Sequence, residues 1–230
     1  VKQQRSLGVI LSRTDYGEAD RIITFLTPAY GKVRVMAKAV RKPKSKLAGG
    51  IELFSISDIS YIEGRGDLHT LVSTRLERHF GRIVKDIERT MLGYDMLKIL
   101  SRVLEDEGGE DFYNLLVESL AILDNLESPK DLAEASFLLR LMRLLGHLPA
   151  FTHDSKGTPL TKDATFQFSF DDMAFFPLPE GPFTLNHIKL VRLLSHNPPE
   201  NLLSIAKLAE YLQDLITIIR TMARRYVIPF

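Results

Sequence analysis

The 230-residue chain balances 30 Lys and Arg against 29 Asp and Glu, is 45% apolar, and contains neither cysteine nor tryptophan. This is the composition of one large folded domain or two smaller ones, and it excludes wholesale disorder. The lack of cysteine excludes disulfides, thiolate metal sites and cysteine nucleophiles together.

The opening Val1-Lys2-Gln3-Gln4-Arg5 is polar and leads into an apolar run, 7–11, too short for a signal-peptide core or a membrane span. From residue 7 to about 78 the hydrophobic pattern has period two and is punctuated by turn residues, which predicts short half-buried strands. Leu7, Val9 and Leu11 alternate with Gly8, Ile10 and Ser12 in the first. After a loop over 14–20, residues 21–27 form a second strand rich in β-branched and aromatic side chains. Pro28-Ala29-Tyr30-Gly31 turns the chain into a third strand, 32–40, with Val33, Val35, Ala37 and Ala39 on one face and Lys32, Arg34, Met36 and Lys38 on the other. A loop over 41–50 precedes a fourth strand, 52–62. Gly64-Arg65-Gly66-Asp67 then turns into a fifth, 68–76, where Leu68, Thr70, Val72, Thr74 and Leu76 alternate. Five such strands in about seventy residues predict a small closed barrel of OB type.

Beyond Phe80 the period becomes helical, with Ile83, Ile87, Met91, Tyr94, Leu97, Leu100 and Leu104 as one stripe. A second helix is predicted over 111–123, after the acidic loop 105–109. A third has Ser128 as its N-cap, Pro129 at its first position, Gly146 just past its end and Pro149 beyond. The apolar residues of this third helix face every side, so it is expected at the centre of the helical domain, and Arg140 and Arg143 argue against a lipid-facing helix. Residues 150–182 are rich in Gly and Pro and bracket two aromatic runs, 166–170 and 173–176, around Asp171-Asp172, which reads as an inserted β-hairpin. Helices resume over 184–194 and from about Ile205, where Leu208, Leu212, Leu215, Ile219, Met222 and Tyr226 continue one apolar stripe. The fold class is therefore α+β: an N-terminal five-stranded OB-type barrel over 1–80, then a helical domain over 81–230 with a small inserted hairpin at about 150–182.

The net charge of +1 conceals an asymmetry. Residues 1–79 hold 14 Lys and Arg against 8 Asp and Glu, a net +6, and the rest carries −5. The excess gathers at Lys32, Arg34, Lys38, Arg41, Lys42, Lys44 and Lys46, and with Arg21 it lies in a stretch where no Asp or Glu occurs between Arg21 and Ile51. A row of cations without compensating acids suits a phosphate backbone, because each neutralised phosphate releases condensed counterions. The same run also fits a solvated basic loop. Among the aromatic residues of this half, Tyr16 and Tyr30 sit in loop-like positions and are the candidates for base stacking, whereas Phe25, Phe54 and Tyr61 read as core.

Catalytic readings fare poorly. Gly31-Lys32 resembles the end of a Walker A loop, but Val33 stands where Ser or Thr is required and Leu26 where Gly is required. Asp15, Glu18 and Asp20 suggest Mg²⁺, yet a polar loop with capping carboxylates and a partner for Arg21 is the favoured reading. His147, His153, Asp154 and Asp163 match no recognised metal spacing. No cofactor and no metal are expected. The stripe near the C-terminus reads either as core or as a partner-binding groove, with Leu215, Ile219 and Met222 as apolar floor and Arg220, Arg224 and Arg225 as cationic rim.

Asp15-Tyr16-Gly17-Glu18-Ala19-Asp20-Arg21, Gly31-Lys32, the run from Ala37 through Leu47, and Leu144-Leu145-Gly146-His147 together resemble, in order and spacing, the bacterial RecO recombination-mediator family. The resemblance is strongest over about 7–80. It implies an OB barrel on a helical domain, binding of single- and double-stranded DNA, strand annealing, contact with the C-terminal tail of single-stranded-DNA-binding protein, and RecA loading with RecR, without nucleotide hydrolysis. It also implies a cytoplasmic, nucleoid-associated location. Many members of that family carry a four-cysteine zinc site in the insertion, which this chain lacks. An RNA-binding OB protein with a helical adaptor domain is the competing expectation, and a metal-dependent nuclease the third.

Overall fold

The computed structural model describes residues 2–104, 109–149 and 151–227, and all but Gly109 of the expected acidic loop at 105–109 lies outside them. The chain forms two compact units, Val1–Leu126 and Glu127–Phe230.

The first unit opens with five strands: β1 (Gln3–Tyr16), β2 (Asp20–Thr27), β3 (Gly31–Ala37), β4 (Ser55–Ile62) and β5 (Leu68–His79). They close in the order β1-β2-β3-β5-β4, antiparallel throughout except for the parallel β3–β5 pair. This is the OB-type barrel the alternation predicted. One long β1 serves both β4 and β2, and a register shift between Ile10 and Ser12 lets it bend from one partner to the other. The inward residues Ile10, Ile23, Phe25, Val33, Val35, Ala37, Ile59, Tyr61 and Leu71 fill the barrel.

The strand limits shift in ways that matter later. The expected loop over 14–20 contracts to a three-residue turn, because Tyr16 already pairs with Asp20. β3 stops at Ala37, three residues short of the predicted end, because the chain enters the left-handed region at Ala39 (φ 54°). β5 runs on to His79. Val72 is skipped where the β4–β5 register shifts, so the predicted alternation from Leu68 to Leu76 does not stay on one face.

Two helices complete the unit, α1 (Ile87–Val103) on β1 and α2 (Glu110–Asp124) on β2. Asp86 caps α1 by accepting from the Glu88 and Arg89 amides. The predicted α1 stripe is corrected. Ile87, Met91 and Tyr94 are exposed, Ile87 to 74%, while Arg89, Gly93, Met96, Leu97 and Leu100 face inward. A Cβ at residue 93 would stand 2.7 Å from the Phe54 ring, so glycine is what lets the helix approach the barrel. Arg89 is buried because its guanidinium donates to the Leu123, Asn125 and Leu126 carbonyls at the end of α2 (2.8, 3.1 and 3.3 Å), where the helix dipole favours a cation.

The second unit is built on α3 (Lys130–Leu144), whose residues from Leu132 to Met142 are almost all buried. Pro129, not Ser128, occupies the N-cap position, and it has no side-chain group to cap the helix. The C-terminal end forms as the sequence predicts: Gly146 has φ 76°, His147 N–H donates to the Met142 carbonyl and Gly146 N–H to that of Arg143, a Schellman motif. The insertion is the expected hairpin, β6 (Phe166–Ser169) with β7 (Ala174–Pro177). Phe151, Phe166, Phe168, Phe175 and Phe183 are buried beside it, with ring centroids 5.0–5.9 Å from Phe175 to Phe168, Phe183 and Phe151. Then come α4 (Leu185–His196), capped by Thr184, and α5 (Leu208–Tyr226) packed on α3.

Candidate nucleic-acid interface

The basic segment leaves the barrel where β3 ends and returns at a short 3-10 turn, Ala48–Gly50. Two apolar residues hold its ends to the barrel: Val40 is buried in the barrel core and Leu47 packs against it. Between and beside these anchors Lys38, Arg41, Lys42, Lys44 and Lys46 are exposed. Internal turns stiffen the span, with Lys42 N–H donating to the Ala39 carbonyl and Ser45 N–H to that of Lys42 (3.2 and 3.0 Å).

The β1–β2 turn braces the same segment. Asp20 Oδ1 accepts from the Ala39 amide at 2.7 Å, and the Ala19 carbonyl accepts from Arg41 N–H at 2.9 Å. Asp15 takes the guanidinium of Arg21 at 2.7 Å and lies 3.6 Å from that of Arg41. The Arg21 hydrogen bond holds the Asp15 carboxyl below the usual carboxylate range, against the opposing cost of desolvation. The capping-and-pairing reading of Asp15 and Asp20 therefore describes this turn, and Glu18 stays exposed.

The eight predicted cations thus divide. Arg34, Lys38, Lys42, Lys44 and Lys46 form no ion pair with any described residue. Arg34 is exposed on β3, and Lys38 is exposed just past its end. Arg21 and Arg41 share Asp15. Lys32 is half-buried, and its Nζ lies 3.5 Å from the Ser101 carbonyl near the end of α1. Of the two stacking candidates, Tyr16 is 55% exposed, and Tyr30 is 41% exposed with its ring edge-on to Tyr61 and its hydroxyl donating to Gln4 Oε1. Phe25, Phe54 and Tyr61 are core, as expected.

The expected C-terminal groove differs. Leu215, Ile219 and Met222 are fully buried, so they offer no open apolar floor. Arg220 makes a two-toothed ion pair with Glu134, both bonds 2.6 Å, and Arg225 donates to the Phe170 carbonyl and to Asp171. Only Arg224 of the three makes no such contact with a described residue. In the same unit, a surface concavity of about 450 Å³ opens along α4, lined by Lys189, Arg192, Leu193, His196 and Asn197. Sequence pattern gives no sign of it, because these residues fall on the polar side of an otherwise ordinary amphipathic helix.

No described group of three or more His, Asp or Glu side chains is arranged to hold a metal. Asp154 is engaged instead by the amides of Lys156 and Thr158, which hold its carboxyl below the usual range. A four-thiolate zinc site has no donors in this chain, and five buried phenylalanines pack beside the hairpin. Among the described residues no helix is long and apolar enough to cross a membrane.

Comparison with known proteins places residues 2–80 in the family described as Recombination protein O N terminal and residues 84–228 in Recombination protein O C terminal. The chain is 32% identical over 204 residues to the DNA repair protein RecO of Roseiflexus sp. (strain RS-1), covering 85% of this chain and 71% of that protein. It is 26% identical over 228 residues to that of Dehalococcoides mccartyi, covering 96% and 89%. With that of Desulfatibacillum aliphaticivorans it shares 39% identity over 145 residues, covering 62% of this chain and only 56% of that protein.

Proposed function

The chain belongs to the RecO family, a family of non-enzymatic recombination mediators, and from that premise we propose that it binds single- and double-stranded DNA through the barrel, residues 1–80, and anneals complementary strands. The observation that supports this most is the acid-free basic span between Val40 and Leu47, anchored to the barrel at both ends with its cations exposed to solvent. Neutralising phosphates on two strands lowers their mutual repulsion, which is what annealing requires. Arg34, Lys38, Lys42, Lys44 and Lys46 make the principal contacts. Arg21, Lys32 and Arg41 contribute less, since each already has a protein partner.

The helical unit supplies partner contacts. An acidic peptide with an apolar tip, such as the tail of single-stranded-DNA-binding protein, needs an apolar floor rimmed by cations. Leu193 flanked by Lys189, Arg192 and His196 on α4 fits that chemistry better than the sealed α5 stripe. RecR and the loading of RecA onto covered strands complete the proposed role, in a cytoplasmic, nucleoid-associated setting.

Annealing of complementary labelled strands tests the reading. The protein accelerates annealing without nucleotide, and a variant with Arg41, Lys42, Lys44 and Lys46 all changed to Ala does not. Competition with RNA of the same sequence separates the readings, because preference for RNA requires recognition of the 2′-hydroxyl. Tighter binding to RNA overturns the DNA assignment.

A further inference from the structure

We infer that Asp20 is the positioning residue of the DNA-binding loop, acting through the left-handed backbone of Ala39; the inference rests on the loop being the DNA interface. An alanine at φ 54° sits where only glycine is at ease, so its conformation must be held by its surroundings. What holds it is on the neighbouring hairpin. Asp20 Oδ1 accepts the Ala39 amide at 2.7 Å, and two residues on the Ala19 carbonyl accepts Arg41 N–H at 2.9 Å.

These two bonds have a directional consequence. The chain leaves β3, reverses at Ala39, drops Val40 into the barrel core and brings Arg41 back to Asp15. Lys42, Lys44 and Lys46 then follow from a fixed starting point. Without the Asp20 acceptor the Ala39 amide has no partner and the residue relaxes toward an ordinary conformation. The loop exits in another direction and its cations no longer present one spaced row. The charge of Asp20 works against DNA binding, so its presence beside a phosphate-binding loop is explained by its geometry.

Asp20→Asn and Asp20→Ala separate the two effects. Both remove one negative charge, but only Asn keeps an oxygen that accepts the Ala39 amide. With a labelled deoxythymidine strand and the full chain, Asp20→Asn binds at least as tightly as the parent. For each phosphate that the displaced loop no longer neutralises, Asp20→Ala binds about fivefold more weakly than Asp20→Asn at 0.1 M salt, and its salt dependence is shallower by about 0.7. Ala39→Val disfavours the left-handed conformation without touching any charge, and it weakens binding in the same way with Asp20 intact. Equal affinity of the Asp20→Ala and Asp20→Asn variants, or an Ala39→Val variant that binds like the parent, overturns the inference. The Arg41, Lys42, Lys44, Lys46 to Ala variant is titrated alongside. If it binds like the parent, the loop is not the interface and the functional reading itself fails; if it is weakened while Asp20→Ala matches Asp20→Asn, only the positioning role is refuted.

Discussion

The two basic clusters of this chain look alike in sequence and differ in structure. Around the barrel loop, Lys38, Lys42, Lys44 and Lys46 have no acidic partner among the described residues; of the two acids at its base, Asp15 is shared by two arginines and Asp20 takes the Ala39 amide. Near the end of α5, Arg220 is matched by Glu134 and Arg225 by Asp171 and a backbone carbonyl. The acids that answer Arg220 and Arg225 lie 86 and 54 residues away in sequence, so a local count of charges does not register them. Available charge, not charge, distinguishes a phosphate-binding surface from a structural one.

That contrast is most directly broken by substitution. Changing Arg41, Lys42, Lys44 and Lys46 together to Ala is expected to weaken single-strand binding by on the order of 10²–10³-fold at 0.1 M salt, since each phosphate left without its cation forfeits about 0.7 log units of counterion release. Folding stability should move by no more than about 0.5 kcal/mol, because these side chains are exposed. The reverse pattern is expected of Arg220→Ala, measured by denaturant unfolding. Removing the Glu134 pair costs about 0.5–1 kcal/mol after solvent screening, while DNA affinity stays unchanged. If both variants behave alike, the distinction between free and engaged charge is wrong.

A smaller effect concerns pH. Asp15 is held below its ordinary value by Arg21, so its ion pairs are fully formed above the unfolded carboxylate value of about 3.9 and disappear only as pH falls through the lower folded value. DNA affinity is therefore expected to be flat between about pH 5 and 8. A titration midpoint inside that range would contradict this expectation. Smallest of all is the effect of a chelator, which is expected to leave the thermal midpoint where it was because the insertion is held by its phenylalanines.

Much of the fold is legible in the sequence because its signals are apolar and periodic. Alternation locates all five barrel strands, and Gly146 announces the end of α3. The failures share a cause. On α1 the helix faces the barrel unit with Arg89 and Gly93, one a buried cation satisfied by carbonyls and the other a point of close approach, and neither registers as hydrophobic. The apolar stripe of Ile87, Met91 and Tyr94 therefore mimics a buried face. At the candidate site the cations are plain, but the devices that hold them are not. Asp20 and Ala39 are nineteen residues apart, and a left-handed alanine leaves no mark on the sequence.

Neutralisation of backbone phosphate by the loop is read from a titration of a labelled single strand at several salt concentrations. With about five phosphates engaged, log K is expected to fall with log salt at a slope of about −3.5. A slope near zero would contradict the account, because binding would then owe nothing to the charges that Val40, Leu47 and Asp20 hold in place.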